Sequence, residues 1–562
     1  MVPMTNSAPL LFFPGTNPEA LPMAWRFCVF TLLALSSLVA AADEAGDFSL
    51  PLQTLERDLT SEDYRAVLAT MIPTDLRAEW QRVATPDNYH LFARQHGGIE
   101  VLSKNPDLKK SYDRRKEIAD KFLQLMREAY DAKKQKPPFA DSVLLTKVLE
   151  SADRRGQQLD RPTLSIEPVL PAPDAMRHWP GLRGPTQQGV VPNSQLPTRW
   201  NQIWKTSLPG KGNSAPVIWG DRIFVTSEGP RPEAAETSPD RYLMALDRDT
   251  GDVVWKHAAP KPSETEKLYW KNSFASSSVV TDGEHVIAFL GNSGLLCCDV
   301  AGHQLWHVDL GTFPTMHGPG TSPILYKELV IVIQDQTKGR SLFAAYDKRT
   351  GQKRWQRERK NQPGWSSPVV LRIGDRDELI YNGANVVSSH RPDSGEEIWR
   401  INGSSEESIP MLVWGGGLLY SSSGRNGPIF AIRPGGIGDI TDSHVVWRNE
   451  RGGPHVPTPA YRNDRLYMIN DTGILTCLNA LTGDTVWQHR LRGRFSMSPL
   501  VIKDSLLIIS EDGVATVFRA GDKYESVAEH EIGESVLASP ALVDERLFIR
   551  TATSVVCIGA KP

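Results

Sequence analysis

From residue 200 onward, the chain alternates short apolar runs with turns rich in glycine, asparagine and aspartate. Stretches such as 222–225 and 466–469 carry branched and aromatic residues and are bounded by turn residues. This pattern predicts short β-strands joined by tight turns. Four such runs recur in a fixed order. The first is entered through a small residue and proline, the second alternates, the third reads Leu-x-Ala-Leu-Asp, and the fourth carries a tryptophan.

The third and fourth runs form the most regular part of the repeat. The fullest copy spans residues 243–255 and ends on a tryptophan four residues after the glycine of a Thr-Gly turn. Successive copies lie about 40–50 residues apart, which is the period of a β-propeller blade. We expect a large ring at one strand position of nearly every blade to pack between blades and not to bind a cofactor. These structural tryptophans are Trp204, Trp255, Trp306, Trp355, Trp399, Trp447 and Trp487.

The entry motif of the first strand gives the number of blades. It occurs seven times with its proline, at 214–217, 321–324, 366–369, 408–411, 457–460, 497–500 and 538–541, and 276–279 fills the remaining position without proline, which makes eight copies. The repeat region starts with a fourth-type strand at 203–206 and ends with a third-type strand at 557–558. We therefore predict a mainly β fold, an eight-bladed β-propeller of four-stranded blades over residues 200–562. The N-terminal strand is expected to close the ring, because this pairing leaves no open edge.

The first 42 residues are predicted to contain a secretory signal peptide. Arg26 precedes an apolar run over 27–35, and small residues follow up to Ala42. A basic residue, a short apolar core and small residues before a cleavage point are typical of such signals. We expect cleavage near Ala41-Ala42, with Met23 as an alternative start, and export to the periplasm or the extracellular space. The apolar run is too short to span a membrane.

Residues 43–175 show a different periodicity. In the segment 109–132, Ile118, Phe122, Leu125 and Met126 recur every three to four residues beside charged positions, which predicts an amphipathic helix. We interpret 43–175 as an α-helical domain of unknown role that ends in a proline-rich stretch. Residues 176–199 are then a lead-in, or linker, to the propeller.

Composition narrows the class of partner. The formal net charge is −3, so no electrostatic argument favours nucleic-acid binding. Five cysteines in 562 residues are too few for a disulfide framework. The sequence leaves the oligomeric state open.

The Ala-Leu-Asp-x-x-Thr-Gly-x-x-x-Trp copies over about residues 200–560 resemble the PQQ-like (quinoprotein-like) eight-bladed propeller superfamily. The segment 178–185 is similar to the lead-in of a secreted bacterial subgroup. This resemblance implies one of two functions. Some members are alcohol or sugar dehydrogenases that hold pyrroloquinoline quinone (PQQ) and Ca²⁺ on the propeller axis. Others are cofactor-free scaffolds, such as the BamB-like lipoprotein of outer-membrane barrel assembly, and the fold alone does not choose between them.

A quinoprotein would place a vicinal cysteine pair against the quinone, and Cys297-Cys298 is such a pair in sequence. However, it stands where other blades have Leu-x-Ala-Leu-Asp, which favours a buried strand position away from the axis. A strained vicinal disulfide is the alternative. The chain also contains no Cys-x-x-Cys-His, Gly-x-Ser-x-Gly or His-Glu-x-x-His motif.

The residues just before the entry motifs are expected to line an axial funnel and to bind a ligand there. Trp365 could stack on a planar group, and Lys211 or Arg494 could pair with carboxylates. No concentrated group of oxygen ligands is evident, so we predict no metal ligands, no catalytic residues and no cofactor, with PQQ and Ca²⁺ as the minority interpretation. The candidate ligand-binding residues are Lys211, Asn213, Lys271, His317, Trp365, Glu407, His455 and Arg494.

Together these patterns favour an exported, non-catalytic scaffold that binds a protein, peptide or polysaccharide partner. The alternative is a divergent alcohol or sugar dehydrogenase that depends on PQQ and Ca²⁺.

Overall fold

The computed structural model describes residues 164–560, except 192–193, 198, 232–237, 340 and 360–362. The predicted signal peptide and residues 43–163 of the predicted helical domain lie outside the described residues. Within the described part, no helix is long and apolar enough to cross a lipid bilayer.

Eight sheets form within the described residues, and each contains the four antiparallel strands of one blade, which confirms the predicted eight-bladed propeller. Two of these sheets gain further strands from outside the repeat. Blades 1 to 4 comprise Val217–Trp219, Arg222–Glu228, Arg241–Asp247 and Val253–Ala258; Val280–Thr281, His285–Phe289, Leu295–Asp299 and Gln304–Val308; Ile324–Tyr326, Leu329–Gln334, Leu342–Asp347 and Lys353–Gln356; Val369–Ile373, Arg376–Asn382, Val386–His390 and Glu397–Asn402.

Blades 5 to 7 comprise Val413–Gly415, Leu418–Ser422, Ile429–Ile432 and Val445–Asn449; Ala460–Arg462, Arg465–Ile469, Ile474–Asn479 and Thr485–Arg490; Leu500–Ile502, Ser505–Ile509, Val514–Arg519 and Ser526–Glu531. Blade 8 comprises Ala541–Val543, Arg546–Arg550, Ser554–Gly559 and, from the start of the repeat region, Asn201–Ser207. Asn201–Ser207 pairs antiparallel with Ser554–Gly559, so this sheet joins the two ends of the repeat region. Further elements are strands Ile166–Pro168, Val190–Val191 and Gly438–Asp439, the short helix Thr441–His444 and two single 3₁₀ turns, Ala175–Arg177 and Gly291–Ser293.

The entry motif has a specific role between blades. The hydroxyl of Ser278 accepts a hydrogen bond of 2.9 Å from the backbone N–H of Ala215 in the preceding blade, and Ser322 accepts the same bond from Ser278. Equivalent bonds reach Ser367, Thr458, Ser498 and Ser539. A small hydroxyl residue in the entry motif, followed by proline in each of these copies except Ser278, thus satisfies a backbone donor of the neighbouring blade.

Each structural tryptophan is the fourth-strand contact to the next blade. Trp306 is 7% exposed, and its indole Nε1 donates 2.9 Å to the carbonyl of Lys348 in the turn of blade 3. Its ring covers Gly351, where φ is +71° and a Cβ atom would lie 2.9 Å from the indole. The glycine is required both by the left-handed backbone and by the close approach of the ring. Trp204, Trp255, Trp355 and Trp447 cover Gly251, Gly302, Gly395 and Gly483 in the same way.

Among the described residues, the contact between tryptophan and turn glycine is missing at two junctions, between blades 4 and 5 and between blades 7 and 8. Blade 5 replaces the Thr-Gly turn with a longer connection containing Gly438–Asp439, and Trp399 in blade 4 instead donates 2.7 Å to the buried carboxylate of Glu378. Blade 8 has no turn at this position, because its third strand ends the repeat region and its fourth strand begins it. Blade 7, which faces that missing turn, carries Ala528 where other blades carry tryptophan, opposite the larger Val517.

Residues 164–191, which we call the plug, run along the first strands of the blades. Ile166–Pro168 pairs with blade 4, and Val190–Val191 pairs in parallel with blade 7. Trp179 exchanges two backbone hydrogen bonds of 2.8 Å with Ile218 in blade 1, and Thr281 of blade 2 donates to the Pro180 carbonyl. The side chain of Gln188 accepts from the Trp414 N–H of blade 5. The plug therefore pairs edges that first strands would otherwise leave open toward the channel.

Arg183 lies at the centre of the plug and is only 3% exposed. Its guanidinium donates to the carbonyls of Gln188, Pro459 and Pro499, the last two from the entry motifs of blades 6 and 7. Burial lowers the pKa of Arg183 to about 9. Backbone carbonyls, in place of a carboxylate, offset the free-energy cost of burying this guanidinium charge.

The plug begins close to the end of the predicted helical domain, for which we expect a boundary at residue 175 and a linker over 176–199. The chain divides into two compact units between Arg161 and Pro162, and Ile166–Pro168 pairs with blade 4. This stretch hydrogen-bonds to an open strand edge, a kind of contact that helical periodicity does not indicate.

Removing a structural tryptophan should destabilise the propeller. We expect Trp306→Ala to lower the free energy of unfolding by about 3–5 kcal/mol, because a buried ring and one hydrogen bond are lost. The adjacent Leu305 is 46% exposed, and Leu305→Ala should change stability by no more than about 0.5 kcal/mol. Thermal and denaturant unfolding of both variants test this; equal losses would contradict the interpretation.

Adding a methyl group inside the plug should also be costly. Gly184 has φ of +73°, and a Cβ there would lie 2.9 Å from the Trp179 ring, whereas Gly220 has φ of +56° with nothing within 4 Å. Both alanine variants carry the cost of a left-handed backbone, about 1–2 kcal/mol. We expect Gly184→Ala to give the larger drop in Tm, measured by differential scanning calorimetry. If the two drops are the same, the plug is not tightly packed at Trp179.

Candidate functional site

A cavity of about 510 Å³ opens where the chain enters the first strands. It lies beside Gly320, Trp365 and Ile409, whereas the plug contacts residues further along the same blades, such as Pro323 and Pro368. The cavity is therefore formed by loops that a rigid ring of strands holds in place.

Seven of the eight candidate residues line this cavity: Asn213, Lys271, His317, Trp365, Glu407, His455 and Arg494. The structure does not bring Lys211 to the lining. The Lys211 side chain is exposed, and its backbone carbonyl accepts hydrogen bonds from Glu228 and Ser273. We had expected it there because it precedes an entry motif.

Sequence reasoning missed other lining residues. Arg425 and Asp471 come from the connections between second and third strands, which were treated only as turns. Tyr269 and Ser496 lie within two residues of candidates that were named. Arg425 and Asp471 could have been found as charged residues inside Gly- or Asn-containing turns, but the repeat pattern does not single out such positions.

One wall of the cavity is aromatic and comes from the loops entering blades 2, 3 and 4. The rings of His317 and Trp365 are stacked, with centroids 5.4 Å apart and planes at 30°. Tyr269 meets His317 edge-on at 5.4 Å, and the exposed Trp270, outside the cavity lining, lies 5.6 Å from Tyr269. The Trp365 indole donates 2.9 Å to the Gly318 carbonyl, which fixes the ring. We call these four residues the aromatic arc.

The opposite wall comes from blades 5, 6 and 7 and is polar. Arg425 and Glu407 form an ion pair of 2.6 Å, and the His455 N–H donates 3.0 Å to the Asp471 carboxylate. Arg494 is exposed and makes no side-chain hydrogen bond or ion pair among the described residues. We call Glu407, Arg425, Asp471 and Arg494 the polar arc.

His455 is the titratable ring of this wall. Burial lowers its pKa, while the nearby Asp471 and Glu407 act in the opposite direction. The imidazole is therefore neutral at neutral pH. Its Nε2 atom lies 3.9 Å from Glu407 and has no hydrogen-bond partner within the described part of the chain.

An ion pair joins the two walls. The Lys271 ammonium contacts both carboxylate oxygens of Glu511 at 2.8 Å, joining the loop before blade 2 to a loop of blade 7. Ser496 donates 2.6 Å to the same carboxylate. This cross-cavity pair keeps Lys271 from acting as a free cation.

The vicinal cysteines lie away from the cavity. Cys297 and Cys298 are free, buried thiols on the third strand of blade 2, and they pack into different apolar clusters on opposite faces of the sheet. Burial raises the pKa of both thiols, that of Cys298 to about 12. Cys297 pairs with Trp306, just as Cys477 and Cys557 pair with Trp487 and Trp204. A small residue opposite the large ring explains these positions.

The residues present do not fit a bound quinone with calcium. The described lining residues include no cysteine and two carboxylates, and each carboxylate has one oxygen engaged, Glu407 Oε2 by Arg425 and Asp471 Oδ2 by a backbone N–H. Within the described residues, no three histidine, cysteine or acidic side chains come together in a way that could hold a metal ion. Calcium takes six to eight oxygen ligands. Trp365 alone matches one requirement, a ring for a planar ligand.

Comparison with known proteins identifies the family. Among solved structures, quinohemoprotein alcohol dehydrogenase from Comamonas testosteroni is 12% identical with a TM-score of 0.52, over 69% of this chain and 82% of its own. A europium-containing methanol dehydrogenase is 11% identical with a TM-score of 0.52, over 68% and 98%. BamB from Moraxella catarrhalis is 13% identical with a TM-score of 0.47, over 64% and 98%. At these identities the likeness concerns the fold alone.

No curated protein matches the chain. The family model described as outer membrane protein assembly factor BamB matches residues 201–315, 262–377 and 382–558, which is more than half of the chain. The protein is a PQQ-like propeller repeat protein, and it belongs to this BamB family.

Proposed function

We propose that this chain is an exported, non-catalytic binding module that holds a protein, peptide or polysaccharide partner at the axial cavity. The observation that carries the proposal is a cavity of about 510 Å³ with one aromatic wall and one polar wall on a rigid ring. Loops presented by a rigid scaffold are the usual place for binding residues.

The internal contacts of the cavity support binding over catalysis. Ser276 and Ser496 donate to Asn272 and Glu511, and neither is bonded to a histidine. The described lining residues thus contain no hydroxyl nucleophile paired with an imidazole base, the arrangement that nucleophilic catalysis needs. The name of the matching family, an assembly factor, agrees with a partner-binding function. The signal-like segment at 23–42 supports export.

The binding face can be tested with variants of two cavity residues and an arginine control outside the cavity. We expect Arg494→Ala and Trp365→Ala to reduce retention of the purified protein on an envelope fraction from its source organism, because both side chains line the cavity. Arg519→Ala is the control, since Arg519 is exposed at the far end of a third strand from the cavity loops. Retention is measured by sedimentation and immunoblotting. Loss with Arg519→Ala alone would place binding on the opposite face.

The alternative is a divergent quinoprotein dehydrogenase, favoured by the ring of Trp365 in an axial cavity. A ligand at a hundred times its Kd stabilises the folded state by about 2.7 kcal/mol. We expect PQQ with Ca²⁺ to leave the Tm unchanged and to support no dye reduction with alcohols or sugars. A saturable rise in Tm together with dye reduction would establish the dehydrogenase instead.

A further inference from the structure

We propose that the ligand of the axial cavity is a neutral oligosaccharide segment of a glycan. Its sugar rings stack on the aromatic arc and its hydroxyl groups are bound by the polar arc. This inference rests on the proposed binding function and names the partner class.

The aromatic arc is a continuous series of rings from solvent into the cavity. Trp270 is 73% exposed at the outer end, and the centroid steps through Tyr269 and His317 to Trp365 are 5.6, 5.4 and 5.4 Å. Exposed aromatic rings grouped at the mouth of a cavity are typical of a binding surface, because soluble proteins seldom expose a contiguous apolar patch without a function. The faces of pyranose rings carry C–H groups that pack on such rings, and successive rings of a chain can meet successive aromatic residues.

The polar arc supplies what sugar hydroxyls require. Arginine and carboxylate groups are planar and present two polar atoms side by side, which matches a pair of neighbouring hydroxyls. Among the described residues, the ion pair uses Oε2 of Glu407 and the backbone bond uses Oδ2 of Asp471, so Oε1 and Oδ1 remain as acceptors. Arg494 keeps its donors. Acceptors and donors thus face the aromatic arc across the cavity.

The charges favour a neutral ligand over a polyanion or polycation. The described lining holds three cations, of Lys271, Arg425 and Arg494, and two carboxylates, of Glu407 and Asp471. Glu511 lies outside the lining and pairs with Lys271, so the two signs balance. A balanced set gives no net field to concentrate a charged polymer. Hydrogen bonds, not ion pairs, must then carry the polar part of recognition.

A peptide fits this site less well. Peptides commonly bind by adding a strand to a free sheet edge or by filling apolar pockets. The plug already pairs with first-strand edges of the blades, as Ile166–Pro168 does with blade 4. The aliphatic side chains at the cavity are few, namely Ile409, Val456 and Leu537.

A neutral glycan array followed by isothermal titration calorimetry tests the inference. The probes are hexasaccharides of β-linked glucose, β-linked N-acetylglucosamine and α-linked mannose, beside acidic glycans and unrelated peptides. We expect saturable binding of a neutral hexasaccharide, weakened about tenfold by Trp365→Ala. Trp270→Ala should also weaken binding, and it should leave the Tm unchanged because Trp270 is exposed. Val527, which is 51% exposed on an outer strand, provides the control variant Val527→Ala.

The outcomes separate the two proposals. Binding confined to acidic glycans or peptides, or to no glycan, overturns the neutral-glycan inference. Neutral binding that survives both tryptophan variants also overturns it, because the ligand then lies elsewhere. If cavity variants still reduce envelope retention in either case, the proposed binding function stands with another partner class. If they do not, the proposed function fails as well.

Discussion

The fold depends on one contact, an indole ring laid over the turn of the next blade. In blades 2 and 3 this is Trp306 over Gly351, with the indole N–H bonded to the turn carbonyl of Lys348. The contact recurs at most junctions between blades, including the junction where Trp204 of blade 8 covers Gly251 of blade 1. Buried aromatic rings contribute large apolar area, and the bonded N–H fixes their orientation.

The exceptions show that the turn determines the tryptophan. Where blade 5 loses the Thr-Gly turn, Trp399 turns inward to Glu378, a fully buried carboxylate also held by Ser389. Where blade 8 has no turn, blade 7 has no tryptophan, and Val517 fills the space beside Ala528. The residue pattern of each blade therefore reflects its neighbour as much as itself.

The repeat could be predicted from sequence because each blade uses the same residues at the same spacing. The cavity could be predicted in large part, since residues before the entry motifs, such as His317 and Trp365, meet at the axis in any such ring. Arg425 and Asp471 could not, because they sit in turns whose lengths differ between blades. The plug was missed for another reason. Arg183 donates to the carbonyls of Pro459 and Pro499, which are 276 and 316 residues away in sequence. No local periodicity indicates such a contact.

The two walls of the cavity are held in different ways. The aromatic arc is fixed by ring contacts and by one hydrogen bond from Trp365, so its shape persists without a ligand. In the polar arc, Glu407 pairs with Arg425 and Asp471 accepts a backbone N–H. The separate pair of Lys271 and Glu511 joins the two walls. A preformed site of this kind loses little conformational freedom on binding, which favours affinity.

The plug makes the two ends of the propeller channel different. A propeller with an open channel lets a long polymer thread through it. Here residues 164–191 pair with blades on both sides of the channel, while the cavity opens at the entry loops. The plug therefore lies across the channel between these blades. The proposed axial site is thus suited to the end of a polymer or to a short bent segment, because a strand threaded through the channel would have to displace the plug.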